Sequence, residues 1–151
     1  MLITVTVPHD RTQLGTLKVD EFECRCFCKS DTAAAVAAGN PTRDPKKKDG
    51  DMPCGAYTAT VGEVEQPEHS YGPHPVIRLM PIEGDALIRA KNEGLKPGKL
   101  GLLLHSGPLN AQGKLRPTHG CIRVDEPDHG ELVKRMLMWD GTARLELTES
   151  D

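Results

Sequence analysis

At residues 118–124 the chain reads THGCIRV. A cysteine directly behind His-Gly, with an arginine two residues on, can be an inert core thiol, a metal ligand, half of a disulfide or a nucleophile. A free thiol titrates at about 8.5, so only a few per cent is thiolate at pH 7. A nucleophilic cysteine therefore needs a base or an imidazolium beside it. Two histidines are candidates: His119, two residues away, and His105, sixteen residues upstream. His105 ends the apolar run KLGLLLHSG (99–107). A buried strand that delivers a histidine at its end is a rigid way to place a base. The loop 108–118 is long enough to double back and bring Cys121 alongside. The Gly120-Cys121 turn offers successive backbone N–H groups of the kind that hold an oxyanion during acyl transfer.

The elements that must position this pair read mostly as strands. LITVTV (2–7) and TARLELT (142–148) alternate at period two. TLKVDEFECRCFC (16–28) is one long strand or a hairpin, with Phe22, Cys24, Cys26 and Cys28 on one face. TAAAVAA (32–38) is a short helix ended by Gly39, and 40–51 is a polar loop. A turn leads into a strand over 52–62, an irregular loop spans 63–75, and VIRLMPI (76–82) is a strand. DALIRAKNEG (85–94) closes as a helix at Gly94. DHGELVKRMLMW (128–139) is the best helix, with Leu132, Val133, Met136 and Leu137 as its apolar stripe. The expectation is a single mainly β domain over residues 1–151 with one or two helices.

Bulk properties exclude several classes. At 151 residues the chain buries about 70% of its unfolded surface. A net charge of −3 leaves no electrostatic footprint for nucleic acid. The one basic run, Lys46–Lys48, is flanked by Asp44, Asp49 and Asp51 and reads as a solvated loop. No stretch approaches a membrane span, and MLITVTVPHD lacks the regions of a secretory signal. Five cysteines leave at least one thiol free if the others pair within the chain. Cys24, Cys26 and Cys28 read first as small core residues. C-x-C-x-C is not a zinc spacing, so no metal or other cofactor is expected. A bridge from one of them to Cys54 stays open, and the absence of C-x-x-C speaks against a cysteine oxidoreductase.

The segment HSGPLNAQGKLRPTHGCIRV (105–124) resembles the active-site signature of the L,D-transpeptidase (YkuD-type) catalytic domain: a histidine, a spacer in the mid-teens, then Ser/Thr-x-Gly-Cys, an apolar residue and Arg or Asn. His105, Thr118, His119, Gly120, Cys121, Ile122 and Arg123 fill the slots. MPCGAY (52–57) resembles the family's T-P-x-G-x-F/Y turn, with Met52 departing from Thr, and YGPHPVIRLMP (71–81) resembles the strand that follows. The likeness covers roughly residues 16–147.

It implies an L,D-transpeptidase-like β-sandwich with its site in a cleft under a mobile flap. It implies acyl transfer on peptidoglycan stem tetrapeptides through a thioester, with transpeptidation, carboxypeptidation or D-amino-acid exchange as outcomes. Carried over by position, Cys121 is the nucleophile, His105 the base, and Ser106 the group that orients His105. The N–H groups of His119, Gly120 and Cys121 form the oxyanion hole. Arg123 braces the Cys loop or holds a carboxylate, and Tyr71, His74 and Thr118 are candidate cleft residues. The site of action is then the periplasm or cell wall. A lone catalytic domain without a leader also fits an interbacterial effector using the same chemistry, with a secretion machine or an immunity protein as partners. A peptidoglycan-binding module without turnover is the third reading.

Overall fold

Alternation of buried and exposed side chains governs the first three strands and the last. In the computed structural model, which describes residues 1–150, β1 (Leu2–Pro8) turns Ile3, Val5 and Val7 into the core. The segment 16–28 resolves to a hairpin, β2 (Gly15–Val19) and β3 (Phe22–Phe27). Asp20 sits in its two-residue turn with φ +51°, a left-handed conformation that Asp tolerates better than most residues. Cys24 and Cys26 face the core on β3, and Cys28 follows them inward. All five cysteines are free, so no bridge to Cys54 forms. The remaining strands are β4 (Gly55–Val64), β5 (Pro75–Gly84), β6 (Leu103–His105), β7 (Ile122–Val124) and β8 (Thr142–Ser150).

The expected β-sandwich is not what the chain forms. The eight strands close into one mixed barrel in the order β1-β2-β3-β7-β6-β5-β4-β8. The seam is made by β8, which lies parallel to β1 from Leu2↔Arg144 to Pro8↔Ser150 and antiparallel to β4. The physical reason for the error is that alternation marks one buried face per strand. A sandwich and a barrel both satisfy that pattern, and the choice rests on a pairing between chain ends some 140 residues apart. Closure leaves neither sheet edge unpaired. An eight-stranded barrel is just wide enough for side chains to fill, and here Leu17, Tyr57, Ile77, Leu104, Ile122 and Leu145 are fully buried within it.

Four helices, not one or two, decorate the barrel: α1 (Thr32–Ala37), α2 (Glu68–Tyr71), α3 (Asp85–Glu93) and α4 (Glu126–Leu137). Asp31 caps α1 by accepting from Ala34 N at 3.0 Å, and Gly94 closes α3 in the left-handed conformation at φ +67°. The one-turn α2 lies inside the segment expected as irregular loop. Helix α4 starts behind the Asp125 cap with Pro127 in its first turn, and buries His129, Leu132, Val133 and Met136. Its apolar stripe therefore begins one turn earlier than expected, and Leu137 is 58% exposed. Burying each of these aliphatic side chains contributes about 1.5–3 kcal/mol. Among the described residues no helix is long and apolar enough to cross a membrane.

Candidate active site

Strands β6 and β7 lie side by side in parallel, with Leu104↔Ile122 and His105↔Arg123 in register. Parallel neighbours need a long connection, and here residues 106–121 supply it as a loop without a helix. Leu104 and Ile122 point into the core, so the next positions point the other way. By that parity His105, Arg123 and Cys121 share one face, and all three line a cleft of about 520 Å³. Its other walls come from the α2 segment (His69, Ser70, Tyr71), α3 (Arg89) and the loop before Cys121 (Arg116, Thr118).

His105 is 3% exposed. Its Nδ1 lies 2.6 Å from the Ser106 carbonyl oxygen, which can only accept, so Nδ1 carries the proton and Nε2 keeps the lone pair. Burial, with Arg123 and His129 adding their charge, lowers its pKa to about 4. The ring is thus neutral at pH 7 and available as a base. Tyr71 packs edge-on against it, with ring centroids 5.0 Å apart. Cys121 is half-buried. Burial raises its pKa, opposed by the Leu103 N–H and by the Arg89 and Arg123 cations. A raised thiol beside a lowered imidazole is a neutral pair at rest.

Ser106 does not orient His105 through its hydroxyl. Its backbone carbonyl does so, and its Oγ instead lies 2.9 Å from His129 Nδ1. The amides of Gly120 and Cys121, expected as oxyanion donors, both donate to Thr118 Oγ1, at 3.2 and 2.8 Å. Thr118 thus acts as the staple of the Cys loop, which a bridge between Ser30 and Thr118 ties to the segment after β3. Gly120 sits at φ +107° with Arg89 against it: a Cβ there would lie 3.0 Å from Arg89 Nη1. His119 projects into solvent, with Asp49 3.7 Å away. Arg123 reaches the carbonyls of Ser70 and Pro108 only at 3.4 and 3.5 Å, and its buried Nε has no partner. His74 does not line the cleft. It pairs with Glu126 at 2.6 Å on the far side of His105, against α4.

Two buried polar residues near the site escaped the sequence reading. Arg89 is 3% exposed, donates to the carbonyls of Pro45 and Asp51 at 2.8 and 2.7 Å, and presents charge to the cleft. His129 is fully buried behind Ser106. The signal for both was a polar residue on the apolar face of a helix, beside Ala86 and Ala90 in α3 and before Leu132 and Val133 in α4. Cys24 and Cys26 are unsuited to attack: Cys24 is pushed up to about 12 by burial, and Cys26 higher still by its Cys28 contact and burial. No protein-family model matches the chain, and a search of curated proteins returns no match.

The buried rings make a stability prediction. Burial lowers the His105 and His129 pKa values to about 4, against 6.5 in an exposed ring. Between those values the unfolded chain binds more protons than the folded one, so stability falls as pH drops from about 6.5 to about 4. The gap corresponds to on the order of 3 kcal/mol per ring. Denaturant unfolding across this range should show the loss, and His129→Gln should flatten the slope relative to wild type. Equal slopes for the two proteins would contradict the assignment of His129 as a buried neutral ring.

Proposed function

We propose that this protein is a cysteine acyltransferase that acts on peptidoglycan stem tetrapeptides, in the manner of the L,D-transpeptidases its 105–124 segment resembles. The observation that carries the reading is the parallel β6/β7 pair, which places a buried neutral His105 and Cys121 on one wall of a single cleft. Support for the substrate class comes from the signature stretch alone, since the closed barrel adds none.

Cys121 Sγ attacks the carbonyl that precedes the terminal D-alanine, and a C–S bond forms. His105 Nε2 takes the thiol proton and returns it to the departing amine as the C–N bond breaks, which leaves a thioester and free D-alanine. An incoming amine or water then gives its proton to His105, attacks the thioester, and releases Cys121 as the thiol when His105 returns that proton. An amine yields a cross-link or an exchanged residue; water yields a tripeptide. Arg123, with its unpartnered Nε, and Arg89 supply positive charge beside the reacting centre. They suit a donor with a carboxylate next to the scissile bond. Such donors lie outside the cytoplasmic membrane, so the periplasm or cell wall is the proposed site of action.

Incubation with purified disaccharide-tetrapeptides, followed by mass analysis, is the test. Loss of one alanine, exchange of the terminal residue or a cross-linked dimer supports the proposal, and the product identifies the acceptor. Unchanged tetrapeptide in the presence of D-amino acid and amine acceptors overturns it.

A further inference from the structure

Behind His105 a second histidine closes a chain of hydrogen bonds that the acyl-transfer reading leaves unused. His129 Nε2 lies 2.8 Å from the Pro75 carbonyl oxygen, which can only accept, so Nε2 carries the ring's proton. In the neutral ring Nδ1 is then an acceptor, and Ser106 Oγ, 2.9 Å away, donates to it. The same Ser106 accepts the His105 Nδ1 proton with its carbonyl oxygen at 2.6 Å. Each link has one direction only: His105 to Ser106, Ser106 to His129, His129 to Pro75.

The surroundings hold this chain in one arrangement. Ser106 is fully buried, and its N–H donates to Tyr71 O at 3.3 Å. Gly72, at φ +87°, lets the backbone pass so close that a Cβ would lie 1.9 Å from Ser106 Oγ. The His129 ring meets His74 edge-on at 5.3 Å, and His74 is clamped to Glu126 at 2.6 Å. Gly130 has no side chain for the same reason, since a Cβ there would lie 2.8 Å from the His74 ring. The charged groups bearing on the two rings are His74 and Glu126 beside His129, and Arg123 beside His105. An apolar side chain would fill the α4 position as well, if packing were its only duty.

We propose that His129 is a positioning residue that acts through Ser106: it fixes the Ser106 carbonyl, and that carbonyl fixes the tautomer and orientation of the base His105. This inference rests on the reading of His105 and Cys121 as base and nucleophile. His129 itself touches neither substrate nor thiol.

The test follows Cys121 alone, by site-resolved mass analysis of iodoacetamide labelling across pH, alongside kcat and KM for D-alanine release. His129→Leu removes both hydrogen bonds; His129→Asn places an amide oxygen where Nδ1 accepts and so keeps the Ser106 link. The expected result is a kcat lower by on the order of tenfold in His129→Leu with KM little changed, a slower neutral-pH labelling of Cys121, and recovery of most of both in His129→Asn. Ser106→Ala, a small change that keeps the carbonyl, should reproduce the His129→Leu profile. In the Ser106→Ala background His129→Leu should then have no further effect on either readout, because the link between them is already cut. Variants that lose only thermal stability, with the Cys121 pH profile of the folded fraction unmoved, overturn the proposal, as do fully additive effects of Ser106→Ala and His129→Leu. His105→Ala serves as the internal reference. If it leaves Cys121 labelling unchanged, the base assignment fails and not merely the role of His129.

Discussion

Cys121→Ala leaves D-alanine release from tetrapeptide muropeptides at the background rate while the protein stays folded. The loss is expected to be at least about a thousandfold, since removal of a nucleophile leaves only binding and electrostatic contributions. Little else changes with the sulfur. Its Sγ lies 3.9 Å from Gly101 O, a weak contact, and the N–H and C=O of residue 121 bond to Thr118 Oγ1 through the backbone, which alanine keeps. A half-buried thiol replaced by a methyl group costs about 1 kcal/mol or less. The melting temperature therefore moves by a few degrees at most for a domain of this size. Undiminished D-alanine release by the folded mutant would show that another group attacks. None of the remaining thiols is a good substitute, because Cys24, Cys26 and Cys28 are buried on the core side of the barrel and Cys54, beside Arg11, lies outside the cleft. Retained tetrapeptide binding with no turnover in wild type as well would favour a binding module.

The sequence made the His105 and Cys121 pair legible because its placement is local. An apolar run ending in His105, a loop, and Thr-His-Gly-Cys need only one strand pairing, β6 with β7, to meet. Helices α3 and α4 were legible for the same reason, since period, cap and turn residues lie within a few positions of each other, whereas 16–28 left a long strand and a hairpin both open. Barrel closure was not, because β8 finds β1 and β4 only in three dimensions. Which atoms of Ser106 and Thr118 do the bonding was not legible, for a different reason. A hydroxyl next to a histidine or two amides suggests which groups are near, but not which atom bonds to which. Ser106 lends His105 its carbonyl and gives its hydroxyl to His129. Thr118 Oγ1 takes the very amides that the turn offers to an oxyanion. Arg89 and His129 lay hidden in helical apolar faces, where a single polar residue is indistinguishable from a surface residue until its burial is known.

His105→Ala tests how the thiol is activated, and here the electrostatics choose between two mechanisms. In a preformed ion pair the cysteine would be lowered and the histidine raised. The opposite holds: burial raises Cys121 and lowers His105 to about 4. On the proposed function His105 then serves as a general base during attack, and serves only when unprotonated. In wild type kcat/KM should stay level from neutral pH down to about 5, then fall tenfold per pH unit below about 4, because protonation of the free enzyme's His105 removes the base. In His105→Ala the rate at pH 7 should drop by about 10²–10⁴-fold. What remains should rise with pH into the alkaline range, since the thiol must then ionise unaided from a raised pKa. Two results would overturn this account. A wild-type acid limb near neutrality would mean that His105 is easily protonated and that an ion pair does the chemistry. A His105→Ala profile parallel to wild type at every pH would mean that Cys121 draws its base from elsewhere, with His119, which lines the same cleft beside Asp49, as the candidate ring.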